Sequence, residues 1–323
     1  MAKAVDEAKV RQLLALGAYG DRPRTAYTEG ARYLSSLDGF NIKHAPIPAH
    51  VFLPERDQAL HPKTPTGLIP LDLARLLDLG SPATTPLILA RYARIRAGES
   101  LTTRLTASTE LYYVIRGSGR TRFGDGGGDR GAETIDWEPG DAFVLPGGGA
   151  ARHDAGRADA VLWLATNEPQ LAFEGLEPQA SGRAPIAAAH YPASEIRRRL
   201  LAVYLDPRGV DMPGKSVNFG NAAIEASRTT TPTFTLAMNS LLPGEAQRAH
   251  RHNAVAVTLV VAGDRCHSMI DGKRVDWEPN AVMITPPAEL HSHHNEGDGM
   301  ALFLIVQDGG LYYHCRTMGF SYE

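Results

Sequence analysis

Two histidine-bearing segments decide how this sequence is interpreted: GEAQRAHRHNAVAVTLVVAG at residues 244–263 and PPAELHSHHN at residues 286–295. His250 and His252 are two residues apart, so on a strand both side chains point to the same face. The intervening chain is long enough for two hairpins, which would return His291 beside this pair. Three neutral imidazoles suit a borderline divalent ion such as iron, manganese, copper, nickel or zinc. Three protein ligands also leave coordination positions open, as in catalytic sites.

The sequence also contains an internal repeat. The tetrapeptide DWEP begins both DWEPGDAFVLP at 136–146 and DWEPNAVMITP at 276–286, at an offset of 140 residues. Earlier in each copy, Gly98 matches Gly244 at an offset of 146 residues. A length difference in the Gly-rich stretch GDGGGDRGAE (124–133), which is predicted to be a turn and lacks the context of a phosphate-binding loop, accounts for the change. The chain is therefore predicted to contain a duplicated small β-barrel.

Composition sets broad limits. The 323 residues are 43% hydrophobic and 21% charged, with a formal net charge of −3, which suits a globular chain of two domains and gives no reason to expect a nucleic-acid partner. No window approaches ~18 apolar residues, and the N-terminus lacks a signal-peptide pattern, so no membrane association and a cytoplasmic location are expected. Cys266 and Cys315 are predicted to be free, buried thiols in a reducing compartment.

Periodicity indicates mostly short strands. Helices are predicted over 5–16, 71–79 and Ala193–Leu205, the last with Ser194 as N-cap. Seven apolar runs bounded by turn residues predict strands: TELYYVIRG, DAFVLPG, AVLWLAT, TFTLAMN, AVTLVVAG, AVMITPP and ALFLIVQ.

The predicted organisation follows from the repeat. Residues 1–80 form an N-terminal extension with helices, and residues 81–170 form a first barrel. Residues 171–230 form a connector with a helix, and residues 231–323 form a second barrel that carries the histidines. The expected fold class is all-β, with two barrels in one chain and a few flanking helices.

The spacing of these motifs resembles the cupin superfamily. Gly244, His250, His252 and Gly263 match its first motif, and Pro279, Pro286, His291 and Asn295 match its second. The resemblance covers roughly 233–316 strongly and 90–165 weakly. It implies two jelly-roll-type cupin barrels, a bicupin, with His250, His252 and His291 as metal ligands.

One departure from the cupin pattern narrows the resemblance. The usual glutamate would fall at Ala256 or Val257, so the site has three histidines. That variant is similar to thiol dioxygenases and to the gentisate, salicylate and 1-hydroxy-2-naphthoate ring-cleaving dioxygenases, which are bicupins of about this length. The resemblance implies Fe(II), molecular oxygen as co-substrate, and cleavage of a hydroxylated aromatic acid or a related enolisable chelating compound.

Two further departures concern the substrate. The ring-cleaving bicupins usually keep the metal in the N-terminal barrel, whereas here the histidines lie in the C-terminal one. They also tend to carry an arginine six residues after the second histidine, where this chain has Thr258. Both departures weaken the inference that gentisate is the substrate of this protein.

The first copy has lost its ligand set. The positions that match the three histidines hold Arg104, Thr106 and Ala151, none of which is a good metal ligand. Glu110 remains at the glutamate position of the family, and His153 aligns with His293 rather than with His291. The first barrel is therefore expected to hold no metal and to support the fold, the packing of the barrels or a dimer.

Candidate substrate-binding residues follow from strand alternation. His293 shares a face with His291 and is a candidate acid–base group or hydrogen-bond donor, with a structural role as the alternative. Arg248 shares the face of His250, and Asn239 lies on the preceding strand; a surface salt bridge is the alternative for Arg248. The small side chains of Ala254 and Ala256 would leave room for a ligand.

Other histidines and tyrosines are expected to be structural. His294 should point away from the site, and Cys266 is expected to be a buried packing residue. His267 and His314 are interpreted as isolated histidines on strands. Tyr312 and Tyr313 are placed in the last strand, in packing roles.

Two other functions stay open. One is a metal-dependent isomerase, hydrolase or lyase that uses manganese, nickel or zinc as a Lewis acid. The other is a non-enzymatic bicupin that binds a small ligand. Exposed strand edges also favour a homo-oligomer, a dimer or tetramer.

Overall fold

The computed structural model describes residues 5–17, 23–37, 39, 42–124, 133–179, 183–209 and 214–323. The chain divides into two compact units, Met1–His44 and Ala45–Glu323. The first unit contains helices α1 (Glu7–Leu13) and α2 (Ala26–Gly30), whose N-termini are capped by Asp6 and Thr25. The helix predicted over 5–16 is confirmed over its central part. Of the Gly-rich stretch 124–133, all but the two end residues lie outside the described ranges.

The second unit holds the remaining elements. Its helices are α3 (Leu53–Leu60), α4 (Glu168–Glu174), α5 (Ala193–Leu205) and α6 (Gly309–Cys315). Its strands are β1 (His50–Val51), β2 (Gly67–Pro70), β3 (Leu89–Ile95), β4 (Ser100–Arg104), β5 (Thr109–Arg116), β6 (Gly119–Phe123), β7 (Glu133–Trp137), β8 (Ala142–Pro146), β9 (Ala150–Ala155), β10 (Ala160–Thr166), β11 (Ala189–Tyr191), β12 (Lys215–Phe219), β13 (Thr235–Leu241), β14 (His250–His252), β15 (Ala256–Ala262), β16 (Cys266–Ile270), β17 (Lys273–Asp276), β18 (Val282–Thr285), β19 (His291–Asn295), β20 (Ala301–Gln307) and β21 (Phe320–Tyr322). The seven predicted strands are confirmed as β5, β8, β10, β13, β15, β18 and β20.

Four antiparallel sheets build two similar barrels. The first combines the sheet β11-β8-β5-β10-β3-β2 with the sheet β4-β9-β6-β7, and the second combines β1-β18-β15-β20-β13-β12 with β17-β16-β19-β14-β21. The predicted all-β fold is confirmed. The strands outside the duplicated sequence extend the large sheets: β2 and β11 pair with the first barrel, and β1 and β12 with the second.

The two large sheets bury their outer faces against each other. Trp163 and Tyr92 of the first barrel belong to the same buried apolar cluster as Leu304 and Val306 of the second. The hydroxyl of Tyr92 also donates to the carbonyl of Asn280 at 2.6 Å, which satisfies a polar group inside this contact. Strands such as β3 and β10 are buried along their whole length because both of their faces are covered.

Several local predictions were wrong. Residues 71–79 form turns rather than a helix, because the Asp72 carboxylate accepts the backbone N–H groups of Ala74 and Ala83 and holds the chain in a bend. The helix Ala193–Leu205 is confirmed, but Pro192 is its N-cap and Ser194 lies inside it. The carboxylate of Asp141, a residue of the first barrel, accepts a hydrogen bond from the N–H of Ala193 at 2.8 Å. This carboxylate therefore caps the N-terminus of α5.

The C-terminal segment also differs from its prediction. Tyr312, Tyr313 and His314 lie in α6 rather than on a strand. Cys315, at the end of the same helix, is exposed, whereas Cys266 is buried as predicted. Within the described residues, no helix is long and apolar enough to cross a membrane.

Candidate metal centre

Strands β14 and β19 bring three histidines together. His250 pairs directly with His291 across the two strands, and His252 lies one alternation further along β14. One ring nitrogen of each of the three lies within 4.8 Å of the others, and all three side chains are buried. Among the described residues this is the one group of three or more potential metal ligands that lie this close together.

Hydrogen bonds fix the orientation of the three rings. Each Nδ1 contacts a backbone carbonyl two residues away: His250 with Arg248 (2.9 Å), His252 with Ala254 (2.7 Å) and His291 with Glu289 (2.9 Å). A carbonyl only accepts, so each Nδ1 carries the hydrogen and each Nε2 is left with a lone pair. This arrangement is typical of histidines that bind metal through Nε2.

Burial keeps these imidazoles neutral. Desolvation lowers the pKa of His252 to about 4 and that of His291 to about 3, and it also lowers the pKa of His250. A neutral imidazole is the form that binds a metal ion. The three histidines are therefore in their metal-binding protonation state at neutral pH without a partner carboxylate.

The histidines face a cavity of about 170 Å³ inside the second barrel. Its lining residues come from β12, β13, the segment before β14, β14, β15, β18, β19, β20, α6 and the C-terminal segment: Ser216, Asn218, Thr235, Ala237, Asn239, Gln247, His250, His252, Ala256, Thr285, His291, His293, Ile305, Gln307, Tyr313, Met318 and Phe320. None of these described lining residues is Asp, Glu, Lys or Arg, so any charge in the site must come from a metal or a ligand.

His293 lines the same cavity and is held by a hydrogen-bond chain. The indole Nε1 of Trp277 donates to Ser268 Oγ at 2.8 Å, and this hydroxyl lies 2.8 Å from His293 Nδ1. Because Ser268 Oγ accepts from the indole, its own hydrogen is available for His293 Nδ1, which leaves an N–H on Nε2. Burial also lowers the pKa of His293 well below its ordinary value. His293 thus offers a neutral donor beside three acceptors.

The first barrel contains the same hydrogen-bond chain. Trp137 Nε1 donates to Thr121 Oγ1 at 2.9 Å, and that hydroxyl lies 2.8 Å from His153 Nδ1. The two tryptophans are those of the repeated DWEP segments. The repeat is therefore accounted for by a buried Trp–hydroxyl–His chain, which is present in both barrels and does not depend on a metal site.

Neutral polar groups surround the histidines. Gln307 Nε2 lies 3.1 Å from His252 Nε2 and donates to its lone pair. The hydroxyls of Thr258 and Thr285 are fully buried without a hydrogen-bond partner, as is Gln247 Oε1. Asn239 lines the cavity, as predicted from its strand position, and makes only a long 3.4 Å contact with its own strand. Unsatisfied buried hydroxyls are costly, which favours a ligand that binds them.

The C-terminal segment closes one side of the cavity. Strand β21 pairs with β14, and the ring of Phe320 stacks on His250 with centroids 5.1 Å apart. Met318 and Tyr313 line the cavity beside it. Sequence reasoning missed these residues and Gln307, because elements distant in sequence supply them and no motif marks them.

Arg248 does not line the cavity. Its guanidinium is exposed, donates to the Glu323 carbonyl at 2.8 Å and lies over the Tyr322 ring at 5.2 Å. The prediction of Arg248 as a substrate-binding residue is corrected by this placement, because β21 pairs with β14 and draws the side chain outward. Arg251 likewise pairs with Glu323.

Two other histidines take structural positions. His294 points away from the cavity, as predicted: its Nε2 lies 2.8 Å from Ser292 Oγ, and its ring stacks on that of His267 at 4.6 Å. Cys266 is buried behind them, and its Sγ donates to Asn295 Oδ1 at 3.2 Å.

The matching positions of the first barrel are filled by aromatic side chains. Tyr112 and Phe143 stack there with centroids 4.7 Å apart, and the Tyr112 hydroxyl donates to Glu110. Burial raises the pKa of Glu110 to about 7. Arg104 is exposed, and Ala151 has no ligand atom.

Comparison with known proteins agrees with this geometry. Residues 238–307 match the model of the cupin domain family. These residues form a cupin domain. The match spans β14, β15 and β19 and includes the three histidines, so the cupin motifs and the observed cluster coincide.

Curated proteins similar to part of this chain include ring-cleaving dioxygenases. A 1-hydroxy-2-naphthoate 1,2-dioxygenase of Nocardioides sp. (strain KP7) is 33% identical over 104 residues, which are 32% of this chain and 27% of the relative. A gentisate 1,2-dioxygenase of Ralstonia sp. is 33% identical over 82 residues, which are 25% of this chain and 23% of the relative. The chain therefore matches only about a quarter of the length of these relatives.

Solved structures extend the likeness to both barrels. Salicylate 1,2-dioxygenase from Pseudoaminobacter salicylatoxidans, in adducts with gentisate, superposes with a TM-score of 0.71 at 14% identity and covers 99% of this chain and 96% of that one. An oxalate decarboxylase of Bacillus subtilis superposes with a TM-score of 0.51 at 16% identity over 81% of this chain. At these identities the likeness establishes the two-barrel cupin fold.

Proposed function

We propose that this chain is a non-haem Fe(II) dioxygenase that cleaves a hydroxylated aromatic acid or a related enolisable chelating compound. The observation that carries the proposal is the set of three inward Nε2 lone pairs on His250, His252 and His291 at the wall of a cavity. The sequence similarity of part of this chain to ring-cleaving dioxygenases supports the reaction class.

The residues present fit a divalent metal. Three neutral nitrogen donors, each oriented by a backbone carbonyl, are a suitable set for Fe(II) and leave positions open for a substrate and oxygen. Bound iron would supply the redox chemistry by placing an electron-rich substrate next to dioxygen. Because no carboxylate lines the cavity among the described residues, the site would keep a double positive charge and favour an anionic chelate.

The remaining side chains bind and orient the substrate. The Nε2–H of His293 can donate a hydrogen bond to an oxygen of the ligand, since Ser268 holds its other nitrogen. The hydroxyl of Thr285 and the amide of Asn239 offer further hydrogen bonds without charge. Phe320 covers the histidines and limits the access of water on that side.

The first barrel has a supporting role in this proposal. Its ligand positions at Arg104, Thr106 and Ala151 provide no metal site, and its interior is packed with apolar side chains. It buries one face of the second barrel's large sheet and caps α5 through Asp141. The domain division at 81–170 and 231–323, a homo-oligomeric state and a cytoplasmic location stay predictions of the sequence.

One experiment tests the reaction. The purified chain is analysed for metals, loaded anaerobically with Fe(II), and assayed for oxygen uptake with salicylate, gentisate and 1-hydroxy-2-naphthoate. We expect one iron per chain and uptake that depends on the substrate. Bound manganese, nickel or zinc without oxygen uptake would contradict the proposal and favour Lewis-acid chemistry. Failure to bind any metal would leave a small-ligand-binding bicupin.

A further inference from the structure

A second cavity adjoins the candidate metal centre. It has a volume of about 350 Å³ and shares four lining residues with the first cavity: Asn218, Thr235, Gln307 and Tyr313. Gln307 contacts His252 on one side and lines the second cavity on the other. The two cavities therefore adjoin along these four residues, with Gln307 between them.

Arg228 is the one charged residue that lines either cavity in the described part of the chain. Within those described ranges its guanidinium has no carboxylate within 4.0 Å and no hydrogen-bond acceptor. It contrasts with Arg248 and Arg251, which are engaged by the C-terminal residues. A guanidinium without a partner beside a cavity is available for an anionic group of a ligand.

The backbone holds Arg228 in place. The residue ends the short 3₁₀ helix Ala222–Ser227 in a left-handed conformation with φ of +54°, and its N–H donates to the Glu225 carbonyl. On the other side, Thr230 Oγ1 donates to the Phe219 carbonyl at 2.7 Å and accepts from the N–H of Leu236 at 3.0 Å. These bonds anchor the loop to β12 and β13, so the base of the arginine side chain is fixed.

We propose that Arg228 binds an anionic group at the far end of the substrate while the near end chelates the metal. The inference rests on the proposed function and narrows its substrate class to chelating compounds with a second, remote anionic group such as a carboxylate. The polar side chains that line the cavity at the histidines, Asn239 and Thr285 among them, are neutral, so this cavity offers no cation of its own. A guanidinium forms charge-assisted, two-pronged hydrogen bonds with carboxylates, which a neutral group does not replace.

The test uses a matched pair of chelating probes. Iron-loaded protein is titrated under argon with 3,4-dihydroxyphenylacetate and with its uncharged analogue 3,4-dihydroxyphenylacetamide. We expect the carboxylate to bind about fivefold more tightly than the amide at low salt, the effect of a partly exposed charge-assisted pair, and this advantage to shrink as salt is added. The variant Arg228→Gln should abolish the advantage and leave the affinity for the amide unchanged.

The control is Arg265→Gln, which removes an exposed arginine elsewhere in the second barrel and should keep the full difference between the probes. Equal affinities of the two probes for the wild-type protein would overturn the inference, as would an equal loss for both probes in Arg228→Gln. Binding is measured without turnover, so this result is distinct from the oxygen assay. Discrimination by Arg228 without any oxygen uptake would support the subsite and contradict the dioxygenase.

Discussion

The two barrels place different side chains at equivalent strand positions. In the first, Tyr112 pairs with Phe143 across β5 and β8, and the two rings fill the interior beside His153. In the second, Thr258 pairs with Met283 across β15 and β18. On the same two strands, the paired small residues Ala256 and Thr285 line the cavity beside His293.

This difference shows what a duplicated barrel needs to gain or lose a site. Both copies keep the Trp–hydroxyl–His chain, so that chain belongs to the fold. Among the described residues, the second copy has three inward Nε2 atoms beside a cavity, and it has two buried hydroxyls without partners, Thr258 and Thr285. Such hydroxyls lower stability, and they are retained where a ligand would satisfy them. The first copy has Leu145 at the position of Thr285 and, at the position of Thr258, Tyr112, whose hydroxyl donates to Glu110.

The largest expected effect comes from removing one imidazole of the cluster. His291→Ala should reduce metal affinity by at least about 100-fold, since even outer partners of metal ligands are worth 10- to 100-fold. Metal content per chain and metal titration measure this loss. His153→Ala is the matched control in the first barrel and should leave metal content unchanged. Equal metal content in His291→Ala and the wild type would refute the proposed ligand set.

The next effect concerns the buried carboxyl of the first barrel. Burial raises the pKa of Glu110 from 4.5 to about 7, so the ionised form is disfavoured in the folded state. The penalty is absent below pH 4.5, grows as pH rises to 7 and is complete above it. Glu110→Gln should therefore leave the free energy of unfolding unchanged near pH 4 and raise it by up to about 3 kcal/mol at pH 8. Denaturant unfolding at both pH values checks this; an equal effect at both would show that the fold does not raise the pKa of Glu110.

The strands and the metal cluster could be predicted because their signals are local. Alternating apolar runs between turn residues mark β5, β10 and β20, and the spacing of His250, His252 and His291 follows from strand geometry. The DWEP repeat revealed the duplication. Its hydrogen-bond chain was not predictable, because Ser268 and Thr121 lie on other strands and carry no motif.

The predictions that were wrong or missing concern residues whose positions depend on contacts that the local sequence pattern does not show. The apolar spacing over 71–79 is typical of a helix, yet a side-chain carboxylate at Asp72 competes for the backbone N–H groups and bends the chain. Alternation predicted that Arg248 faces inward, but the residue lies before β14 and its guanidinium donates to the Glu323 carbonyl. Gln307 and Arg228 reach the cavities through contacts between distant segments, which periodicity cannot show.

The next prediction compares the Trp–hydroxyl–His chains of the two barrels in their effects on stability and on ligand binding. Ser268→Ala and Thr121→Val each leave a buried indole N–H and an imidazole nitrogen without a partner, so each should lower the free energy of unfolding by about 1–3 kcal/mol. Only Ser268→Ala removes the hydroxyl that keeps the hydrogen of His293 on Nε2. Only this variant should therefore also weaken the binding of a chelating ligand to the iron-loaded protein. A loss of ligand affinity in Thr121→Val would argue that the first barrel acts on the site.

The smallest expected effect tests why the second barrel keeps unsatisfied hydroxyls. Thr258→Val preserves shape and removes a fully buried, unpartnered oxygen, so it should raise the free energy of unfolding by about 1 kcal/mol. Thr109→Val does the same in the first barrel, where Thr109 Oγ1 is also buried without a partner. If Thr258 binds substrate, its variant should gain stability and lose affinity for a chelating ligand, whereas Thr109→Val should gain stability alone. A Thr258→Val protein with unchanged affinity would make the hydroxyl a relic of the fold, like the histidine of the first barrel, rather than a contact for the ligand.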